Sequence, residues 1–406
     1  MNVLDKSAIR NCTSCGVCAS ICAKKAITMQ LDGNGFYRPE IDAVLCNDCG
    51  LCTTTCYKFD VDVKLTGKNQ LEEKKLYAAW AKDDEVIRET TSGGIGDILA
   101  HAIYRNGYKV VGVVYNIDKD RAEHRIANNE DDLIRFRGSK YIQSYTFDAF
   151  KEIVANCRNE KYAVFGTPCQ IYALSKMAEK RHARENFVLI DIYCHGCPSI
   201  HSWHKYLSEI KRRCGRTSFD SISFRSKKKG WGVYCVEAIG DNKTVYLSKR
   251  GKDQFYELFF SDYVLNDSCY DCKFRSSLEY CDIRLGDFWG KKFIGNHKGV
   301  SAVTLCTNKG ASLFGEISGI DYQEFDIAEF LPNQGWNKEY HISKANRKAI
   351  MDILKTESAN IDEVIQELYS RQNLKETVIR HIKHILYYMP LSVTDGIKRC
   401  VYFMRK

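Results

Sequence analysis

Eight cysteines in the first 56 residues constrain this chain more than any other feature. They form two matching runs, Cys12-x2-Cys15-x2-Cys18-x3-Cys22 and Cys46-x2-Cys49-x2-Cys52-x3-Cys56. Thiolate sulfur is soft. Three thiolates two residues apart reach three corners of one iron–sulfur cubane, and the fourth of each run points at the other cluster. The spacing therefore predicts two [4Fe–4S] clusters. One is held by Cys12, Cys15, Cys18 and Cys56, the other by Cys46, Cys49, Cys52 and Cys22. Gly16 and Gly50 lie inside the runs, where the backbone must bend tightly and aim N–H groups at sulfur.

Other uses of these cysteines fit poorly. Zinc sites use one or two CxxC pairs rather than a four-cysteine run repeated in identical form. A disulfide framework suits a short secreted chain, not 406 residues without a secretory signal. Proline commonly follows the fourth cysteine of a run. Here Ala23 and Tyr57 stand there, which changes the solvation of each cluster without removing a ligand. Residues 1–62 are thus predicted to be a two-cluster, bacterial ferredoxin-type domain.

Composition narrows the class. Hydrophobic content of 44% supports a globular core, and no run of 18 apolar residues exists, so no transmembrane segment is predicted. Nineteen cysteines without a signal peptide point to a reducing, cytoplasmic setting. The net charge of +9 is uneven: residues 371–406 carry eight Lys and Arg against Glu376 and Asp395, a net +6. The remainder is near neutral and no RNA or DNA motif accompanies its aromatics, so no nucleic-acid partner is expected.

Along the chain, AITMQL (26–31) and residues 36–44 flank Gly33-Asn34-Gly35 and read as a hairpin between the cysteine runs. Residues 61–75 are polar and read as a linker. From residue 76, apolar runs at 77–81, 108–115, 161–166 and 187–194 alternate with helical patterns at 95–106, 147–156, 169–181 and 201–213. Such alternation predicts an α/β domain on a parallel or mixed sheet. Residues 218–248 read as a small antiparallel element. Strands at 281–286 and 300–306 and a helix at 309–317 follow, and residues 343–406 read as helical, interrupted at Pro390.

Four segments of the middle region carry chemistry. Thr91-Ser92-Gly93-Gly94 precedes a helix and suits phosphate through free N–H groups, although a plain N-cap looks the same. Gly166-Thr167-Pro168-Cys169-Gln170 and Cys194-His195-Gly196-Cys197 sit at strand ends. Cys269-x2-Cys272 is followed by DIRLGDFWG (282–290). No GxGxxG occurs, which argues against a Rossmann dinucleotide site. Single cysteines at strand ends are usually inert core thiols, but two of them with a CxxC can also close a third four-thiolate site.

SGG before a helix, RGSKYIQS (137–144), FGTPCQ (165–170), IYCHG (192–196), FRSKKKGW (224–231), CYDC (269–272) and DIRLGDFWG resemble, in order, the beta subunit of coenzyme F420 hydrogenase/dehydrogenase. The resemblance covers residues 75–335, with parts 75–155 and 160–335, behind the ferredoxin-type domain. It implies FAD and one further [4Fe–4S] cluster in this core. By that resemblance Cys169, Cys194, Cys269 and Cys272 are the ligands of the third cluster. Ser92, Gly93, Gly94, Gly138, Ser139, Lys140, Tyr141 and Thr167 become flavin contacts, and Arg225, Lys227 and Trp231 hold the anionic flavin or the substrate. Cys197 and Cys281 depart from the family pattern and are expected to be core thiols, with Cys157, Cys214, Cys235, Cys306 and Cys400. His195 suits a hydrogen bond near a cluster better than general acid catalysis. His101, His201 and His204 suit packing or surface roles.

The fold expected is α+β: a ferredoxin-like domain, an α/β flavin and iron–sulfur core, and a helical C-terminal region, 343–406. The function expected is that of an oxidoreductase. Ferredoxin or another redox partner protein supplies electrons, which pass through the clusters to flavin and on to a small organic acceptor, deazaflavin or other. The alternative is an electron-transfer subunit whose partner holds the substrate site. The basic, amphipathic tail reads as a helical cap with a solvated face, or as a segment able to contact a membrane surface.

Overall fold

The computed structural model describes residues 1–404; Arg405 and Lys406, the end of the expected helical extension, lie outside the described residues. Helix α1 (Val17–Ile21) starts from Gly16, held at φ 78°. Gly50 takes the same φ in the second run. Both therefore occupy the left-handed region where a side chain is strained. Strands β1 (Ile27–Leu31) and β2 (Tyr37–Ile41) pair antiparallel, with Ile27 opposite Ile41 and Leu31 opposite Tyr37. The Asp32 carboxylate makes the turn by accepting from the Asn34 and Phe36 N–H groups at 2.9 and 3.0 Å.

The stretch read as a linker is not one. It contains a short helix, Lys68–Glu72, and it is tied to the core. Thr66 donates its N–H to the Ser276 carbonyl at 3.0 Å, and Lys64 its N–H to the Tyr280 hydroxyl at 2.8 Å. Polar composition concealed this because most ties are hydrogen bonds, with only Val63 and Leu71 packing apolar side chains against the core.

The core is built on one nine-stranded mixed sheet. Its strands in chain order are β3 (Lys75–Ala81), β4 (Lys109–Asn116), β5 (Arg121–Ile126), β6 (Ser144–Tyr145), β7 (Tyr162–Phe165) and β8 (Phe187–Ile192). A separate three-stranded antiparallel sheet then forms from β9 (Ser221–Ser223), β10 (Glu237–Gly240) and β11 (Lys243–Leu247). The main sheet resumes with β12 (Ile283–Asp287), β13 (Ser301–Leu305) and β14 (Ile320–Phe325). Its spatial order is β14-β3-β13-β12-β8-β7-β4-β5-β6. The centre, β12-β8-β7-β4, is parallel, and β13, β3 and β14 add antiparallel to it. β3 lies between β13 and β14, so the segments 75–155 and 160–335 share one sheet. The strands β8, β7 and β4 are largely apolar, and the buried charges at the β8–β12 join, Asp191 and Arg284, pair with each other at 2.6 Å.

Three strands went unread. β5 (RAEHRI) and β14 (IDYQEF) are polar, and β6 is two residues long. β14 and β6 are the sheet edges, where one side meets solvent and hydrophobic alternation is not needed. β5 buries Glu123 by pairing it with Arg121 and Arg125 at 2.7 and 2.5 Å.

The longer helices of the core include α2 (Ile95–Arg105), α3 (Phe147–Asn156), α4 (Pro168–Lys180), α5 (Ile200–Cys214) and α6 (Gln254–Phe260), of which α6 was also unread, and a further helix, Asn308–Glu316, stands where 309–317 was expected. At the start of α4, Thr167 and Gln170 form a capping box, and Pro168 occupies the first turn where no N–H partner is lost. The C-terminal region supplies α7 (Lys344–Lys355), α8 (Ile361–Ser370), α9 (Leu374–Tyr388) and α10 (Leu391–Met404). α7 and α8 cap the core through Ile350, Leu354, Ile361, Val364 and Leu368. α9 and α10 do not: α9 buries no residue. Among the described residues no helix is long and apolar enough to cross a membrane.

Candidate redox site

Cys12, Cys15, Cys18 and Cys56 line one small cavity, with Gly16 and Tyr57. Burial pushes three of these thiols up, Cys15 to about 11 and Cys56 to about 12, and Cys18 well above its ordinary value. Cys22 and Cys49 lie close enough to Cys52 for their charges to raise its thiol further. Cys46 sits on the adjoining turn, its N–H donating to the Asp42 carbonyl at 3.0 Å. Cys52 in turn acts on Cys18, so the two sets are neighbours.

The core brings a third set together. Cys169 opens α4, Cys194 follows β8, and Cys269 and Cys272 flank a short turn. Burial pushes Cys194 to about 11, Cys269 to about 12 and Cys169 well above the thiol range, and the charge of Cys272 raises each of them further. Desolvated thiols that repel one another as thiolates need a compensating cation. Among the described residues no three such side chains converge on a point as ligands of a single ion do. Cys15 is among the charges acting on Cys169, which puts the first set next to the third.

Sequence reasoning missed what holds the two modules together. Thr146 donates to the Cys15 carbonyl at 3.0 Å. Arg38 donates to the Cys12 carbonyl at 3.2 Å, the Ser14 hydroxyl at 2.7 Å and the Asn266 amide oxygen at 3.2 Å. Tyr57 donates to the Asp271 carbonyl at 3.1 Å. Arg275 was missed as well: it donates to the carbonyls of Cys269 and His195 at 2.7 and 2.8 Å. Its position three residues after Cys272 was the available signal.

Cys197 is not a plain core thiol. Its N–H points at Cys269 Sγ at 3.4 Å, and its sulfur lies beside Cys269 and Cys194. Cys281 is buried with its sulfur 3.6 Å from Cys306 Sγ. Cys157 and Cys235 are buried, Cys214 is half-buried, and Cys400 is exposed on α10, contrary to the expected core position. His195 Nε2 lies 2.7 Å from Asp262 Oδ1.

A second constellation gathers the other expected contacts. Gly94 caps α2 at φ 86° without a side-chain cap. A Cβ at Gly93 would come within 2.4 Å of the Ala79 carbonyl, so only glycine fits. The Ser139 N–H donates to Thr91 Oγ1 at 2.7 Å, joining the 138–141 loop to this turn. Lys227 donates to the Ser92 carbonyl and, at 2.5 Å, to the Ile87 carbonyl. Lys140 donates to three carbonyls, Arg137 the nearest at 2.8 Å. Burial pushes both lysines down to about 7. The carbonyls they donate to are neutral, Asp287 partly offsets the charge of Lys227, and a bound anion would favour the charged form of both.

Arg225 bonds Asp287 at 2.5 Å, the Tyr141 hydroxyl at 3.1 Å and the Trp231 carbonyl at 3.0 Å, while its buried Nε has no partner. Trp231 is buried and stacks on Trp289, ring centroids 4.5 Å apart, so its face is already used. Lys228 pairs with Glu237, and Lys229 donates to the Ser248 carbonyl at 2.9 Å; the basic run is dispersed among internal partners. Thr167 stands apart from this group: its recorded bonds go to Gln170 and to Cys169 Sγ at 3.2 Å. An aromatic bridge joins the two regions, since Phe259 contacts the ring of His195 at 4.9 Å and that of Tyr141 at 5.6 Å.

The N-terminal and C-terminal family descriptions for the coenzyme F420 hydrogenase/dehydrogenase beta subunit match residues 76–151 and 159–328. The chain belongs to this family. A 4Fe-4S dicluster domain matches residues 11–58, which makes this family member an iron–sulfur electron-transfer protein. It is 25% identical over 250 residues to the coenzyme F420 hydrogenase subunit beta of Methanococcus voltae, covering 58% of this chain and 82% of the relative. It is 24% identical over 351 residues to the coenzyme F420-dependent sulfite reductase of Methanocaldococcus jannaschii, covering 84% of this chain but only 52% of that enzyme. A chain of the xenon-derivatised F420-reducing [NiFe] hydrogenase complex from Methanosarcina barkeri aligns at 17% identity and TM-score 0.44, over 74% of this chain and 94% of that one.

Proposed function

We propose that this protein is an iron–sulfur flavoprotein oxidoreductase that moves electrons between a redox partner protein and a small organic acceptor. The observation that carries the reading is the run of three cysteine sets from the N-terminal module into the core, with Cys15 beside Cys169. Cys46, Cys49, Cys52 and Cys22 would hold the outer cluster. Cys12, Cys15, Cys18 and Cys56 would hold the middle one, and Cys169, Cys194, Cys269 and Cys272 the inner one. Clusters at these positions supply one-electron transfer, and a flavin supplies exchange between one and two electrons.

The chain's own residues fit a phosphate-bearing flavin such as FAD. The uncapped N-terminus of α2 after Gly94, the neutral-partnered Lys140 and Lys227, and the orphaned Arg225 Nε all call for an anion. Ser92, Gly93, Gly138, Ser139 and Tyr141 would form the walls. Trp231 would act from behind, by holding Trp289 and Asp287 in place. Thr167 would serve the inner cluster rather than the flavin. The relatives' names make coenzyme F420 the first acceptor to test.

A second reading has its own support. One relative is named as a subunit, so this chain would deliver electrons to a partner that holds the substrate site. Activity of the isolated chain with a reduced dye and coenzyme F420 separates the two. The proposal as a whole is tested by anaerobic analysis, with on the order of 12 Fe and 12 sulfide per chain expected, plus one flavin. About 8 Fe would remove the inner cluster, and an iron-replete sample without flavin would remove the flavin site.

A further inference from the structure

The helix α9 is mounted inside out. Thr377, Arg380 and His384 are half-buried and share one side at helical spacing, and Leu386 is half-buried near its end. Arg380 lies over the Tyr369 ring at 3.9 Å and donates to Gln372 Oε1 at 2.8 Å, and His384 Nε2 is 3.7 Å from Glu257. The opposite side carries Leu374, Val378, Ile382 and Ile385, which are 81%, 48%, 52% and 60% exposed, with Ile379 next to them. On α10, Thr394 and Asp395 are buried while Val393, Ile397 and Val401 face out. Apolar surface of this extent is normally covered.

The hinge between the two helices is fixed to the core. Arg250 donates to the Met389 carbonyl and to Thr394 Oγ1, both at 3.0 Å. Asp395 pairs with His297 at 3.2 Å. The Asn373–Glu376 capping box forms α9 locally, with reciprocal bonds of 2.9 Å. The outward apolar side is therefore built by the fold, not by fraying.

The geometry points to an anionic lipid bilayer as the occupant. Over residues 374–401 the cations Lys375, Arg380, Lys383, Lys398 and Arg399 stand against Glu376 and Asp395. Lys375 and Lys383 are exposed on α9, within reach of a headgroup layer while the isoleucines enter it. Lys249 and Lys252 add exposed charge beside the hinge. A second copy of this surface would set the same cations against one another. A negatively charged membrane surface matches both the apolar side and the charge.

The test uses the full chain, prepared anaerobically with its iron, floated with phosphatidylcholine vesicles or with vesicles that also contain phosphatidylglycerol. The wild type should float with the anionic vesicles, less so as salt rises, and stay behind with phosphatidylcholine alone. Ile382→Asp with Ile385→Asp should abolish flotation while helix content and iron content persist. Lys375→Glu with Lys383→Glu should weaken it by about tenfold or more. Flotation unchanged in both double variants overturns the proposal. So does a wild type that ignores every vesicle; if it is instead a dimer that the isoleucine variant dissolves, this side is a contact between copies.

Discussion

Arg275 donates to the carbonyl oxygen of Cys269 at 2.7 Å, and the same guanidinium lies over the Tyr340 ring at 4.6 Å. A fixed positive charge next to one of four thiols favours the reduced, more negative state of whatever those thiols hold. Replacing Arg275 with Met should lower the potential of the inner cluster by on the order of 60 mV, a decade for a one-electron couple. Arg275→Lys should recover part of this. A redox titration followed by electron paramagnetic resonance checks the shift, and an unchanged potential would mean that Arg275 serves packing alone.

Cys269→Ser should cost about four irons per chain and leave the N-terminal cluster signals in place. Cys281→Ser should keep full iron, because Cys281 faces Cys306 in the buried core. Cys197 decides between ligand sets, since its N–H already points at Cys269 Sγ. Cys197→Ser is expected to retain iron, and loss of a cluster in that variant would reassign the fourth ligand.

Lys227 and Lys229 are two residues apart but face different partners. Lys227 reaches the Ser92 carbonyl at the turn before α2, and Lys229 reaches the Ser248 carbonyl. Lys227→Gln should lower flavin content after gel filtration, and Lys229→Gln should leave it unchanged. Equal flavin in both variants would move the anion site elsewhere.

The Arg225–Asp287 pair joins three segments, since Arg225 also donates to the Tyr141 hydroxyl at 3.1 Å. Asp287→Asn leaves the buried Arg225 charge uncompensated and should destabilise the chain by about 3 kcal/mol. Thermal unfolding of the two proteins under the same anaerobic conditions reads this directly.

Burial pushes His124 down to about 4, with Nε2 3.1 Å from the Phe165 carbonyl. Its unfolded value is near 6.5, so the unfolded chain binds the proton first. The stability from a neutral His124 is fully present above pH 6.5 and is lost as pH falls toward 4, by about 3 kcal/mol across that window. Denaturant unfolding of wild type and His124→Gln between pH 7 and pH 4 should show a steeper loss in the wild type. Parallel curves would assign the acid sensitivity to other groups.

Sequence alone determined the parts whose chemistry is local. Soft ligands at fixed spacing predict the two N-terminal thiolate sets, and the 4Fe-4S dicluster domain matched over residues 11–58 follows from the same local spacing. The central strands were legible because burial on both faces demands continuous apolar residues. The ordered motifs also named the residues that meet around Gly94 and around Cys269. Tertiary structure decided everything that depends on residues far apart in the chain. It put Cys15 beside Cys169, placed β3 between β13 and β14, and set Arg275 and Asp287 against partners that no spacing rule links. It dispersed the FRSKKKGW cations, which look like one patch in sequence, because each lysine follows its own nearest acceptor. It also turned the apolar side of α9 outward. Helical periodicity reports that such a side exists, and only packing decides which way it faces.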